Sequence, residues 1–216
     1  MSDTEDQTQD MSEPVRNALV ELVIRGMYRG EPSAAQAALV ERGLALVKGP
    51  LLMPTLQAAA LAGSLVRTPA GGDVEARVRR LLEAFLPINR TLRELCTAWQ
   101  IRPDGSVNDH SDAMYDAGVR DRLDDVHDST VPVLDRLTAV LPSIGEYAPR
   151  LQAALDRLDS GETAWLASPL LESYHTVWMH LHQELLMRLG MTRKEDEELE
   201  AALVAGQAAL VPRQAG

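Results

Sequence analysis

With 216 residues the chain is long enough for one large domain or two small ones, and at 45% hydrophobic residues it can bury a sizeable core. A single cysteine, Cys96, excludes a disulfide framework and a thiolate metal cluster. No apolar run reaches the roughly 18 residues of a membrane helix, and the acidic N-terminus does not read as a signal peptide, so the expectation is a cytoplasmic protein without a membrane contact. The net charge of −11 is unevenly placed: residues 1–12 carry four acids and no Lys or Arg, residues 13–72 are net +2, and the remainder is net −9. That asymmetry predicts two parts, of which the second is too acidic to bind nucleic acid unaided.

Residues 1–12 are polar and lack periodicity, which predicts a disordered acidic tail. A helix is expected from Glu13, with Pro14 in its first turn, apolar positions at Val15, Leu19, Leu22, Val23 and Met27, and Gly30 ending it. A second helix should start at Ser33, a natural N-cap, and run through Leu39 and Val40 to Gly43. The stretch LALVKGPLLM then reads as two short apolar runs around Lys48-Gly49-Pro50, a hairpin. After Pro54 the chain returns to helix in TLQAAALAGSL. The loop RTPAGGD (67–73) is the expected boundary between a domain at 13–72 and one at 73–206.

The second part should be helical, since Ala and Leu dominate and aromatics are scarce. A stripe of Val78, Leu81, Phe85, Ile88, Leu92, Leu95 and Trp99 keeps phase across Pro87, which predicts a kinked helix or two near-collinear ones. Residues 101–112 form a loop rich in turn formers. Met114, Val119, Leu123 and Val126 mark the next helix, and the stripe resumes after Pro132. Residues 147–158, 172–190 and 193–206 predict three more helices, the last one charged, and 207–216 should be a flexible tail.

Two constellations carry chemistry. The stretch Glu172–Gly190 holds three of the five histidines. On a helical wheel Tyr174, Val177, Trp178, Leu181, Leu185 and Leu189 share one arc, with His175 and His182 inside it and His180 on the opposite, wet face. Seven residues separate His175 from His182, about 10.5 Å of rise, too far for one metal to take both. They are either neutral core histidines or, with Tyr174 and Trp178, the wall of a ligand pocket. The second constellation is NDHSDAMYD, which crowds Asn108, Asp109, His110, Asp112, Tyr115 and Asp116 into a loop-to-helix junction. Capping by Asp109 or Ser111 explains part of it. The functional alternatives are an Asp109–His110 acid–base pair, or partial ligation of a divalent ion by Asp109, His110 and Asp112, with His127 as a further contributor. No complete ligand set, nucleophile triad or phosphate loop emerges, so no metal and no cofactor are expected. The candidate ligand-binding residues are Trp99, Asn108, Asp109, His110, Tyr115, Tyr174, His175, Trp178 and His182. Cys96 should pack as a small apolar residue.

LVIRG (22–26) followed by LVERGLALVKGPLLMPTLQAAAL (39–61) resembles the layout of MarR-like winged-helix regulators, in which a helix leads into a β-hairpin wing and then a further helix. FLPINRTLRELCTAWQIR, NDHSDAMYD and SYHTVWMHLHQELLMRLG are similar to the helical C-terminal part of actinobacterial proteins of that kind. The resemblance covers most of residues 13–192. It implies a mainly α fold with a degenerate winged-helix-like N-terminal domain and an acidic helical C-terminal domain, a small-molecule ligand, and a homodimer. A helix-turn-helix needs two helices before the wing. Here only Ser33–Gly43 fits, with Gln36, Glu41 and Arg42 as its long polar side chains and Lys48 alone on the wing. The expectation is therefore a ligand-binding regulatory protein whose DNA binding is weakened or lost. The alternative is a small-molecule enzyme or accessory protein of a biosynthetic pathway on the same scaffold, with Asp109, His110 and His175 as acid–base groups.

Overall fold

The computed structural model describes residues 10–210. The chain divides into two compact units: residues 1–70 with 182–191, and residues 71–181 with 192–216. The first boundary falls in the expected loop. The return of residues 182–191 to the first unit was not foreseen.

The first unit opens with helix α1, Glu13–Arg25, whose buried stripe is Val15, Leu19, Leu22 and Val23. Gly26, at φ 73°, ends it with a bond from its N–H to the Leu22 carbonyl, the left-handed cap that glycine adopts without strain. The helix therefore stops four residues before the expected Gly30. The freed residues make a short strand β1, Tyr28–Arg29, which the two-residue pattern could not announce. Helix α2, Ala34–Glu41, begins with a capping box in which Ser33 and Gln36 satisfy each other's backbone N–H groups. Strands β2, Ala45–Lys48, and β3, Leu51–Pro54, form the expected hairpin, turned at Gly49-Pro50. The sheet is antiparallel in the order β1-β3-β2. In its register Leu46 faces Met53 and Val47 faces Leu52. Leu52 and Ala45 are buried, whereas Leu46, Val47 and Met53 are exposed.

Helix α3, Leu56–Val66, is capped by Thr55, whose hydroxyl accepts from the Ala58 N–H. The core gathers Leu19, Leu22, Leu39, Leu44, Leu52, Leu61 and, from 182–191, Met187. The pair of buried Glu184 and partly buried Arg188 (2.6 Å) belongs to this unit, and the Arg188 carbonyl accepts from both the N–H (2.9 Å) and the hydroxyl (2.7 Å) of Thr68. Met11, assigned in sequence to the disordered tail, is buried in this core. Ser12, from the same expected tail, is the N-cap of α1; residues 1–9 lie outside the described residues.

The second unit is helical. Helix α4, Asp73–Gln100, runs unbroken through Pro87, and helix α5, Ala113–Val140, through Pro132. Hydroxyls line the turns beside both prolines: Thr91 donates to the Pro87 carbonyl, Ser129 to that of Asp125 and Thr130 to that of Val126. A 3₁₀ turn, Pro142–Glu146, leads into helix α6, Tyr147–Asp159, which buries Leu151, Leu155 and Leu158. Helix α7, Tyr174–Leu189, follows, and the division between the units falls within it, after Leu181. Helix α8, Arg193–Leu210, starts at a Thr192–Glu195 capping box and extends four residues into the segment expected to be a flexible tail. Residues 211–216 lie outside the described residues. Among the described residues no helix is long and apolar enough to cross a membrane.

Candidate functional site

The loop after α4 folds back on itself. Pro103-Asp104-Gly105 makes a tight turn with Gly105 at φ 85°, closed by a bond from the Arg102 N–H to the Ser106 carbonyl (2.8 Å). An isolated bridge pairs Ile101 with Val107. The next residue, Asn108, gives its N–H to the Gln100 carbonyl (2.8 Å) and is buried beneath the end of α4. Its side-chain amide is fully used. Nδ2 donates to the Trp99 carbonyl (3.0 Å) and to Asp116 Oδ1 (2.8 Å). Oδ1 accepts from Arg102 Nε (3.2 Å) and from the His110 N–H (3.3 Å).

This network holds His110 at φ 60°, in the left-handed region that is uncommon for any residue but glycine. Its Nδ1 lies 2.9 Å from Asp116 Oδ2. A carboxylate only accepts, so Nδ1 carries a proton, and in the neutral ring Nε2 is the acceptor. The close approach of Asn108 Nδ2 to the same ring nitrogen (3.3 Å) is then a contact between two donors and not a bond. The imidazole also leans on Trp99, with ring centroids 4.5 Å apart and 44° between planes. The Arg102 guanidinium lies over the Tyr115 ring at 5.0 Å and reaches Asp112 at 3.6 Å, while the Tyr115 hydroxyl donates to the Ala98 carbonyl (2.7 Å).

Four of the expected site residues, Trp99, Asn108, His110 and Tyr115, thus meet in one cluster. Asp109 does not join them. Its exposed carboxyl accepts from the hydroxyl and N–H of Ser111, which hold its pKa below the usual carboxylate value. The partner of His110 is Asp116, not Asp109, and the cap of α5 is Asp112, accepting from the Met114 and Tyr115 N–H groups, not Asp109 or Ser111. Asp116 outcompetes Asp109 because the first turn of α5 aims it back under the loop. Asp109 is spent on its own local turn.

The other expected residues lie elsewhere. Trp178 is fully buried, stacked on Phe85 with ring centroids 4.6 Å apart, and its indole N–H donates to Asn89 Oδ1 (2.9 Å). Tyr174, also fully buried, is stacked further along at 6.2 Å from Trp178. Burial raises the Tyr174 pKa well above that of a free phenol. His127 packs edge-on to Tyr174, 3.3 Å from its hydroxyl, and so belongs to this stack and not to the His110 cluster. His175 is half-buried, which depresses its pKa. His182 is buried too, and belongs to the first unit.

His180, expected on a wet face, is instead buried and takes a hydrogen bond on Nδ1 from Arg150 Nη2 (3.2 Å), which also holds Glu172. No residue of α7 is exposed, so this helix has no wet face and its periodicity misleads. Asn89 escaped notice although its position, four residues after Phe85 in an apolar stripe, is itself a signal of a buried polar partner. Burial pushes the Cys96 thiol up to about 12, as expected for a packed and unreactive cysteine. Among the described residues no group of three or more His, Cys, Asp or Glu could hold a metal ion. No protein-family model, no curated protein and no solved structure matches the chain.

Proposed function

We propose that this chain is a ligand-binding regulatory protein of winged-helix descent in which the DNA-reading surface is lost. What supports the descent is the order helix, strand, single helix, hairpin, helix in the first unit, together with the resemblance of residues 22–61 to MarR-like regulators. The observation that carries the loss of DNA binding is the outer surface of the hairpin. Leu46, Val47 and Met53 are exposed there, with Lys48 as the single cation. Helix α2 exposes Ala34, Ala37 and Glu41. Phosphate contacts need several Lys or Arg, and base reading needs Arg, Asn, Gln or Lys along one exposed face. Fluorescence anisotropy of the full chain with a random-sequence duplex pool is the test. Binding should be confined to low salt and select no sequence. Tight, sequence-selective binding at physiological salt overturns the proposal.

The second reading, an enzyme on the same scaffold, draws on one observation. Asp116 orients His110 through Nδ1 and leaves Nε2 as an acceptor without a partner among the described residues. That is the arrangement of a general base steadied by a carboxylate. Turnover of a model ester by the wild type that disappears in His110→Gln would favour this reading, and no turnover by either would favour the regulator.

A further inference from the structure

Between α4 and α5 lies an open cleft of about 340 Å³, at the lower end of the roughly 300–1,000 Å³ typical of small-molecule sites. Its apolar wall is Pro87, Ile88 and Val126, and its polar edge includes Arg122 and Asp125. Neither of these two side chains makes a hydrogen bond or ion pair with a described residue. The contrast with the same helix is sharp, because Arg120 is engaged by both Asp124 and Asp159. Arg122 and Asp125 stand three residues apart, which places their Cβ atoms roughly 5–6 Å from each other on one face. An uncommitted cation and an uncommitted carboxylate therefore sit side by side over an apolar wall.

We propose that this cleft binds a zwitterionic α-amino acid with an aliphatic side chain. Its carboxylate meets Arg122, a guanidinium suited to paired bonds, its ammonium meets Asp125, and its side chain lies on Ile88 and Val126. A simple anion would be repelled by Asp125 and a simple cation by Arg122. A purely apolar molecule would desolvate both charges without pairing either. A zwitterion is the one small chemistry that satisfies the pair together. The cleft shares no residue with the His110 cluster and none with the first unit, so its test does not depend on the regulatory reading.

The test is calorimetric titration of the full chain with L-leucine, set beside leucine amide, N-acetyl-leucine and glycine, with NMR of the Ile88 and Val126 methyls as the site reporter. Leucine should bind and shift both methyls. Each analogue lacks one of the three features and should bind at least about tenfold more weakly, the loss expected for one charge-assisted contact or, for glycine, for the apolar side chain. Arg122→Gln and Asp125→Asn alter exposed side chains, so their circular dichroism should match the wild type while leucine affinity falls by a similar factor. Absence of leucine binding, equal binding of the three analogues, or wild-type affinity in both variants overturns the proposal.

Discussion

The Trp178 stack and the His110 cluster are built from the same kinds of residue and end as opposites. Each combines aromatic rings, a histidine and a buried asparagine whose side chain ties two helices or a helix and a loop. In the stack Asn89 answers the Trp178 indole and His127 answers the Tyr174 hydroxyl, and the rings of Phe85, Tyr174 and Trp178 are sealed. In the cluster the asparagine is sealed, but the imidazole it supports is partly exposed, held at positive φ, and turned so that Nε2 has no described partner. The lesson is that residue chemistry alone does not separate a core from a site. What separates them is burial: the rings of the stack are closed off from solvent, whereas the imidazole of the cluster stands partly exposed on a left-handed backbone.

The largest effect should come from breaking the stack. Trp178→Ala removes a ring held on Phe85 and leaves Asn89 without its donor, so unfolding free energy should fall by about 3–5 kcal/mol. Denaturant unfolding measures it. A loss nearer 1 kcal/mol would mean that the ring faces open space instead of packing, and would return Tyr174 and Trp178 to the pocket reading.

Asn108→Ala comes next. It deletes the group that joins the Trp99 carbonyl, Asp116 and Arg102, and leaves a carboxylate and a buried carbonyl short of a donor. A cost of about 1–3 kcal/mol is expected, with the amides of residues 101–112 exchanging faster while those of α7 do not change. Equal acceleration in both regions would show that the cluster and the stack are one cooperative element and not two.

The two regions also differ in how far the sequence announced them. The stripes that bury Phe85, Leu92 and Trp99, or Leu151, Leu155 and Leu158, are regular enough to give the helices, and Lys48-Gly49-Pro50 gives the hairpin, because these depend on local spacing and backbone chemistry. Strand β1 was invisible because two residues make no alternation and their pairing is set by Leu51 and Leu52, more than twenty residues on. Crowding in residues 108–116 pointed to the cluster, yet its wiring did not follow. The choice of Asp116 over Asp109 depends on where α5 begins, and that is fixed by the Asp112 cap. His180 was misplaced because a helix enclosed on all sides carries no polar face for a period to find.

A smaller effect separates strain from bonding at His110. At φ 60° a Cβ is costly, so His110→Ala keeps the strain and loses the bond to Asp116, while His110→Gly loses the bond but relieves the strain. The glycine variant should be more stable than the alanine variant by about 1 kcal/mol, read from thermal unfolding of the pair. Equal stabilities would mean that the loop relaxes out of the left-handed conformation once the imidazole is gone, and that the side chain, rather than the loop, imposes the backbone.

The smallest effect belongs to His175, the residue after Tyr174 on α7. Burial depresses its pKa below the ordinary 6.5, so between the two values the unfolded chain binds more protons than the folded one. Stability then rises with pH in that window. The neutral imidazole is accommodated without penalty above about pH 6.5, and stability is lost as pH falls from there toward the folded-state pKa. His175→Gln cannot be charged, so its unfolding free energy, plotted against pH, should decline less steeply below 6.5 than that of the wild type, while the two slopes agree above it. All other groups are common to the two proteins and cancel in the difference. A variant with the wild-type slope would mean that water reaches the ring, and His175 would then belong with the partly wet His110 rather than with the sealed Trp178.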